Sequence, residues 1–302
     1  MIDVLQIKKF DELHPILNSF SNENNLSVES RENFFNVCQE QFNKENFVYF
    51  LLIVDNTSKG FMSCIVTDRI IRTQRLFVEK CEEYDELLFE LIIKTSKLLE
   101  SLNKEFLQIF FVNSLKLEKK LVENDFAVFQ RIKMVYNLKE NQIPEFSLDA
   151  DYQLAYFTLD KLDEELQVVV DANRNHIDGE IFMQFSSLVD LKELFFSSNL
   201  DAGRLRIDSP IILKNGKIIG INIVVNLSET VSYIWIIALL SEHRGKGLGK
   251  YLMLKSHEEC KKTNVDQMVL DVTEANIAAF NLYKKLGYKE TNRYLTVIKK
   301  YH

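Results

Sequence analysis

From residue 210 onward, apolar and polar positions fall into a regular succession of short elements. The stretch "SPIILKNGKIIGINIVVNLSETVSYIWII" breaks apolar runs with polar turns, which predicts an antiparallel meander whose first hairpin turns at Asn215-Gly216. Its last part, "VSYIWIIALL" (231–240), is β-branched and aromatic with almost no polar residue, the pattern of a strand buried on both faces. In "LGKYLMLKSHEECKKT" the apolar residues Leu248, Leu252, Tyr251 and Leu254 recur at helical spacing between charges, predicting an amphipathic helix. "DQMVLDV" (266–272) reads as a strand. "NIAAFNLYKKLGY" reads as a helix with Asn276 as N-cap and Gly287 just past its end, and "RYLTVIKK" as a closing strand.

The first half runs through the same order. "RTQRLFVEK" (72–80) predicts a strand, "EYDELLFELIIKTSKLLESL" an amphipathic helix, "EFLQIFFV" a strand, "LKLEKKLVENDF" a helix and "FAVFQRIKMVYNL" a strand. An offset of about 162 residues superposes the two series, so the chain reads as a duplicated α/β fold. The polar segment "KENQIPEFSLDAD" (139–151), broken by Pro144, is the expected connection, giving domains over 1–145 and 146–302. Each is expected to be a mixed, mostly antiparallel sheet flanked by helices.

The 302 residues exceed what one hydrophobic core usually serves, in agreement with two domains. A net charge of −7 argues against nonspecific nucleic-acid binding and is compatible with a cationic partner such as an amine. Cys38, Cys64, Cys81 and Cys260 form no CxxC pair and are read as reduced thiols. "MIDVLQIKKFDEL" lacks a signal-peptide core, and the apolar run "FVYFLLIV" (47–54) is too short to span a bilayer, so a cytoplasmic protein without membrane or nucleic-acid partners is expected.

The stretch with the clearest chemistry is "SEHRGKGLGKYL" (241–252), three glycines among cations between a buried strand and a helix. The first N–H groups of that helix lack intrahelical partners, and with the positive end of its dipole they suit a phosphate. Glycines at 245, 247 and 249 let the backbone approach such a ligand, while Arg244, Lys246 and Lys250 add charge. The spacing excludes two other phosphate loops. A Walker A loop needs Ser or Thr after Gly249-Lys250, where Tyr251 stands. A dinucleotide fingerprint from Gly245 or Gly247 needs a glycine where Lys250 or Leu252 stands. At the offset of the duplication, Arg244, Gly247 and Gly249 fall on Glu82, Asp85 and Leu87, so the first copy offers acids where the second offers glycines and cations.

Arg244, Gly245, Lys246, Gly247, Leu248 and Gly249 match the pattern Q/R-x-x-G-x-G/A, and this stretch resembles the acetyl-CoA motif of the GNAT (Gcn5-related N-acetyltransferase) superfamily. "LDVTEANIAAFNLYKKLGYKE" (270–290) is similar to that family's downstream motif through Asn276, Ala279, Tyr283, Gly287 and Tyr288. The resemblance covers about the last 70 residues and implies a tandem GNAT chain with a degenerate first copy. It implies that the loop amides cradle the pyrophosphate of acetyl-CoA and that Ile237, Ala238 and Leu239 pair with its pantetheine arm. Asn276 and Tyr283 would complete the cofactor site, with Tyr283 as general acid toward the departing thiolate. No metal is implied. Independently of the family, Asn276 and Tyr283 are seven apart, which puts them within about 20° on one helix face.

An amine acceptor must lose a proton before it attacks, because its ammonium form has a pKa near 10.4. Many relatives carry a glutamate on the strand before the loop; residues 231–240 contain no acid. Asp271, in Leu270-Asp271-Val272, stands where some relatives place a catalytic glutamate, so it is the expected base or an ordinary hydrogen-bonded strand aspartate. Glu229 and Glu242 are weaker candidates. Tyr233 and Trp235 could line an acceptor cavity or simply pack in the core; His243 is expected in an exposed loop, and His176 and Asp178 lie in the region where the family builds acceptor specificity. The sequence-level expectation is an acyl-CoA-dependent N-acyltransferase acting on a small-molecule or peptide amine by direct attack, as a monomer or homodimer. The alternative is a CoA-binding sensor without turnover.

Overall fold

The computed structural model describes residues 1–198 and 204–301. It divides into two compact units, Met1–Gln130 with Tyr294–His302, and Arg131–Arg293.

The first unit contains β1 (Ile2–Gln6), α1 (His14–Glu23), α2 (Val28–Phe42), β2 (Phe47–Val54), β3 (Thr57–Val66), β4 (Ile70–Val78), α3 (Tyr84–Leu99), β5 (Phe106–Val112) and α4 (Glu118–Val122). Its strands run in the order β1-β2-β3-β4-β5, and Leu295–Lys300 at the end of the chain pair antiparallel with β5. One sheet face packs α3 through Leu88, Leu91 and Ile92; the other packs α1 and α2 through an aromatic layer with Phe20, Phe34, Tyr49, Phe61 and Phe77.

The second unit starts within β6 (Phe126–Asn137) and continues through β7 (Gln153–Tyr156), α5 (Leu162–Asn173), α6 (Ile177–Ile181), α7 (Leu188–Ser197), β8 (Pro210–Lys214), β9 (Lys217–Asn226), β10 (Val231–Leu239), α8 (Leu248–Lys262), β11 (Gln267–Thr273) and α9 (Ile277–Leu286), into β12 (Lys289–Lys300). Its sheet order is β6-β11-β10-β9-β8-β7. The only parallel pair among these is β10 with β11; the first unit likewise has one, β4 with β5. The expected hairpin turns at Asn215 and Gly216, both with positive φ (52° and 76°), as a two-residue primed turn requires.

The duplication is visible in strand lengths: β4 and β10 have 9 residues, β5 and β11 have 7, β6 and β12 have 12. The division expected at 145/146 differs from the compact units in its strand allocation. Residues 131–137 of β6 lie in the second unit, pairing with β11, while residues 294–300 of β12 lie in the first. The physical reason is edge satisfaction: each copy's last strand meets the backbone hydrogen-bonding edge of the other copy's fifth strand.

Four free cysteines are present, with Cys38, Cys64 and Cys260 buried and Cys81 exposed. Among the described residues no helix is long and apolar enough to cross a membrane.

Between α8 and β6, His257 is wholly buried, its ring stacked on Tyr136 (centroids 4.2 Å apart) and its Nε2 2.8 Å from the Tyr288 hydroxyl. Desolvation pushes its pKa down to about 3. The unfolded residue takes up a proton near pH 6.5 while the folded one stays neutral, so between these values the unfolded state binds more protons and stability falls as pH falls. In urea unfolding, the stability difference between wild type and His257→Gln should move against wild type by about 1.6 kcal/mol from pH 6.5 to 5. A pH-independent difference would contradict the neutral buried imidazole.

Candidate functional site

The parallel pairing of β10 with β11 covers only three positions, Val231↔Gln267, Ser232↔Met268 and Tyr233↔Val269. Beyond them β10 continues to Leu239 and β11 to Thr273 without pairing, so the two strands part. The cause is local. The register of β10 against β9 slips between Ile234 and Ile236, leaving Trp235 as a bulge, and a bulge bends and overtwists its strand. Leu240 donates its N–H to the Ile219 carbonyl of the β9 side. By strand alternation Ile237 and Leu239 then turn their peptide groups toward the gap, where no strand takes them up, while Ala238 turns back to β9.

At the wide end of the gap lies the glycine loop. Gly245 and Gly247 have φ of +77° and +81°, and a Cβ at either would meet nothing within 4 Å. Gly247 caps α8 without any side-chain help. The Arg244 N–H bonds back to Ser241 and the Tyr251 N–H to Gly247, but the N–H groups of residues 245–250 donate to no described residue. The loop is exposed apart from Leu248, which anchors α8 in the core with Leu252 and Ile212, and from His243 and Gly249, which are half-buried, His243 thereby differing from the exposed position expected of it. Six free amides at a helix N-terminus, two of them on left-handed glycines, are an arrangement chemically suited to an anion. Gly249 has a different task, since its Cβ would stand at contact distance, 3.5 Å, from Leu282 of α9. The cations divide. Arg244 donates to the carbonyls of Leu239 (3.0 Å) and Ala172 (2.6 Å), and Lys246 to that of Glu242 (2.9 Å), so both brace the loop; Lys250 is exposed.

Tyr283 extends from α9 into the core beside Tyr288 (centroids 5.8 Å) and is 5% exposed. Burial raises the pKa of its phenol, the carboxylate of Asp178 raises it further and Arg131 opposes both, so the hydroxyl is protonated throughout the physiological range. Asn276 caps α9, accepting from the Ala279 N–H at 3.2 Å, and its amide donates to Asp178 at 2.9 Å. Asp271 has a side chain only 3% exposed; Oδ2 accepts from the Tyr233 hydroxyl at 2.9 Å and lies 3.5 Å from the Lys133 ammonium, whereas Oδ1 is buried without a partner. Glu229 and Glu242 are exposed, and His243 sits edge-on to Tyr152 at 6.2 Å.

Asp178, to which the sequence assigns no role beyond the neighbourhood of acceptor specificity, gathers several partners. Its carboxylate accepts from Thr273 Oγ1 (2.8 Å) and Asn276, with buried Arg131 at 3.7 Å and His176 at 3.6 Å. Arg131 in turn donates to Thr273 and to the Asp271 carbonyl, and lies over the Phe182 ring. Gly179 permits this corner, because a Cβ there would stand 2.3 Å from the Asn173 carbonyl oxygen. Gly179→Ala should therefore cost about 2 kcal/mol of stability through forced backbone displacement, measurable as a lowered urea midpoint; an unchanged midpoint would show that the corner yields freely.

These motifs coincide with what known proteins share. Residues 182–288 match the family model described as acetyltransferase (GNAT) family. Residues 182–288 thus carry a GNAT-family acetyltransferase domain. Over 81 residues it is 33% identical to a ribosomal protein bS18-alanine N-acetyltransferase of Haemophilus influenzae, covering 27% of this chain and 54% of that one. Over 55 residues it is 42% identical to an N-alpha-acetyltransferase of Sulfurisphaera tokodaii, covering 18% and 33% respectively. The matched stretches thus span between a third and about half of these relatives. The fold is that of a solved tandem GNAT protein from the clavulanic acid biosynthesis pathway, with a TM-score of 0.64 at 12% identity over 99% of this chain and 98% of that one.

The two copies of the fold differ at the gap. In the first, β4 and β5 also pair in parallel at only three positions, and the register of β4 also slips against β3. There, however, Thr73 donates to the Gln108 carbonyl (2.8 Å) and accepts from the Phe110 N–H (3.3 Å), so one side chain stitches the parting strands together. Its loop is acidic, with Asp85 held below the usual carboxylate range by Ser114 and Lys116. Among the described residues no group of three or more His, Cys, Asp or Glu side chains is placed to hold a metal.

Proposed function

We propose that this GNAT chain is an N-acetyltransferase that moves the acetyl group of acetyl-CoA to a primary amine, with its active copy in residues 146–302. The observation that carries the proposal is the set of six unbonded amides at 245–250, opening beside the unpaired stretch of β10. That arrangement suits a diphosphate continued by an extended, amide-bearing arm: the loop N–H groups take the phosphates, and Ile237 and the N–H of Leu239, whose carbonyl is held by Arg244, face the arm as a strand would.

In this reading the acceptor nitrogen attacks the thioester carbonyl carbon. The tetrahedral oxyanion is met by a strand N–H near Leu239, and collapse breaks the C–S bond. Tyr283 gives its proton to the leaving thiolate and is reprotonated, through water, from the nitrogen as the amide forms. Asp271, whose Oδ1 is unengaged, takes the proton that the acceptor ammonium loses before it attacks, directly or through water, while Tyr233 and Lys133 hold its other oxygen. The sealed strand gap and acidic loop of the first copy favour a structural role for it.

The test is incubation of the full chain with acetyl-CoA and a panel of amino acids, polyamines, amino sugars and peptide N-termini, reading free CoA thiol and acetylated product by mass spectrometry. Turnover of at least one amine is expected. Tight acetyl-CoA binding without any product would instead favour a CoA sensor, and no binding would refute both.

A further inference from the structure

We propose that Asp178 is a positioning residue for the acid step: from the short helix α6 it holds Thr273 and Asn276, and so fixes the start of α9 and the aim of the Tyr283 hydroxyl. This rests on the acetyl-transfer reading, which supplies the role of Tyr283.

Helix α9 is short. It runs for ten residues, with Tyr283 its one buried side chain and Ala279, Phe280, Leu282 and Leu286 half-buried against the same core. Packing holds one face of the helix, and polar contacts fix its two ends. At the far end Gly287, with φ of +99°, and the Tyr288 N–H bonded to the Tyr283 carbonyl close the helix. At the near end everything converges on Asn276. Its Oδ1 caps the Ala279 N–H and its Nδ2 donates to Asp178 Oδ2, so both ends of the amide are committed and the side chain cannot rotate without losing one bond.

Asp178 is itself held firmly. Oδ1 accepts from Thr273 at the end of β11, Arg131 from β6 compensates its charge, and Gly179 lets the α5–α6 corner close behind it. One carboxylate thus ties three elements together: its own helix α6, the strand bearing Asp271, and the helix bearing Tyr283. The same carboxylate and Arg131 act electrostatically on the phenol in opposite senses. A shift of α6 would reach Tyr283 through two hydrogen bonds.

The experiment uses the full chain with tyrosine labelled with carbon-13 at Cζ, the Tyr283 signal being the one missing in Tyr283→Phe. Asp178→Asn, which keeps the shape but sets an amide donor against Thr273 or Asn276, should move the Tyr283 signal and leave those of Tyr49 and Tyr301 in place. With the amine giving the most thiol release, kcat should fall about tenfold while the Kd of acetyl-CoA stays within about threefold. Thr273→Val, which retains both charges, should act in the same direction and serves if Asp178→Asn does not fold. An unmoved Tyr283 signal, or unchanged kcat in the folded variants, would reduce Asp178 to a structural tie. Should Tyr283→Phe turn over at the wild-type rate, the acid assignment fails while the spectral shift still reports the positioning.

Discussion

Gly247→Val is expected to weaken acetyl-CoA binding by about 10- to 100-fold in isothermal titration, the largest effect of any single change in the loop. Two causes act together. At φ of +81° a β-branched residue is strained by about 1–2 kcal/mol. Because nothing stands within 4 Å of the new carbon, the folded chain has no clash to relieve. The added methyls project into the open space before the free amides, which the proposed diphosphate has to enter, or the loop rearranges and scatters those amides. Either way affinity falls while the thermal midpoint drops by only a few degrees. Wild-type affinity in this variant would separate the loop from coenzyme binding altogether.

Tyr283→Phe should act on the other kinetic parameter. The ring keeps its packing against Tyr288 and its neighbours in the core, so acetyl-CoA should bind within about threefold of wild type. Without the hydroxyl the thiolate must leave unprotonated or take its proton from water, and kcat should fall by about 10²-fold. Since the phenol is held protonated by burial, with its pKa raised, its own ionisation should impose no limb on the rate between pH 6 and 9. A full-strength Phe variant would remove Tyr283 from the chemistry and leave the helix as packing.

Sequence pattern recovers the repeating strand and helix order, because each element carries its own period, and the cap residues Asn276 and Gly287 take their expected places. Boundaries drift where the ends lack punctuation. The strand expected over 72–80 lies at Ile70–Val78, and the helix expected over 115–126 shrinks to Glu118–Val122 because Leu115–Leu117 form a single tighter turn. The strand expected to be buried on both faces instead alternates between buried and half-buried residues along its whole length, one face being covered more fully than the other. The glycine loop is legible because its function is local. Arg244 is less so: its spacing fits a phosphate contact, yet its partners are two carbonyls, one of them 72 residues away. Asp178 is the extreme case, with its bonds to Thr273 and Asn276 spanning 95 and 98 residues, so no local pattern marks it. The bulge at Trp235 likewise has no signature, since it depends on how β9 is aligned.

The allocation of residues 294–300 to the first unit bears on how the protein is made. Chains emerge from the ribosome N-terminus first, and domains ordinarily complete in that order. Here residues 1–130 are synthesised early but must wait with the edge of β5 bare until the strand that covers it has been translated, after the whole of the second unit. The earlier half is thus the later to finish, and during that interval its open strand edge is the place most exposed to wrong pairing.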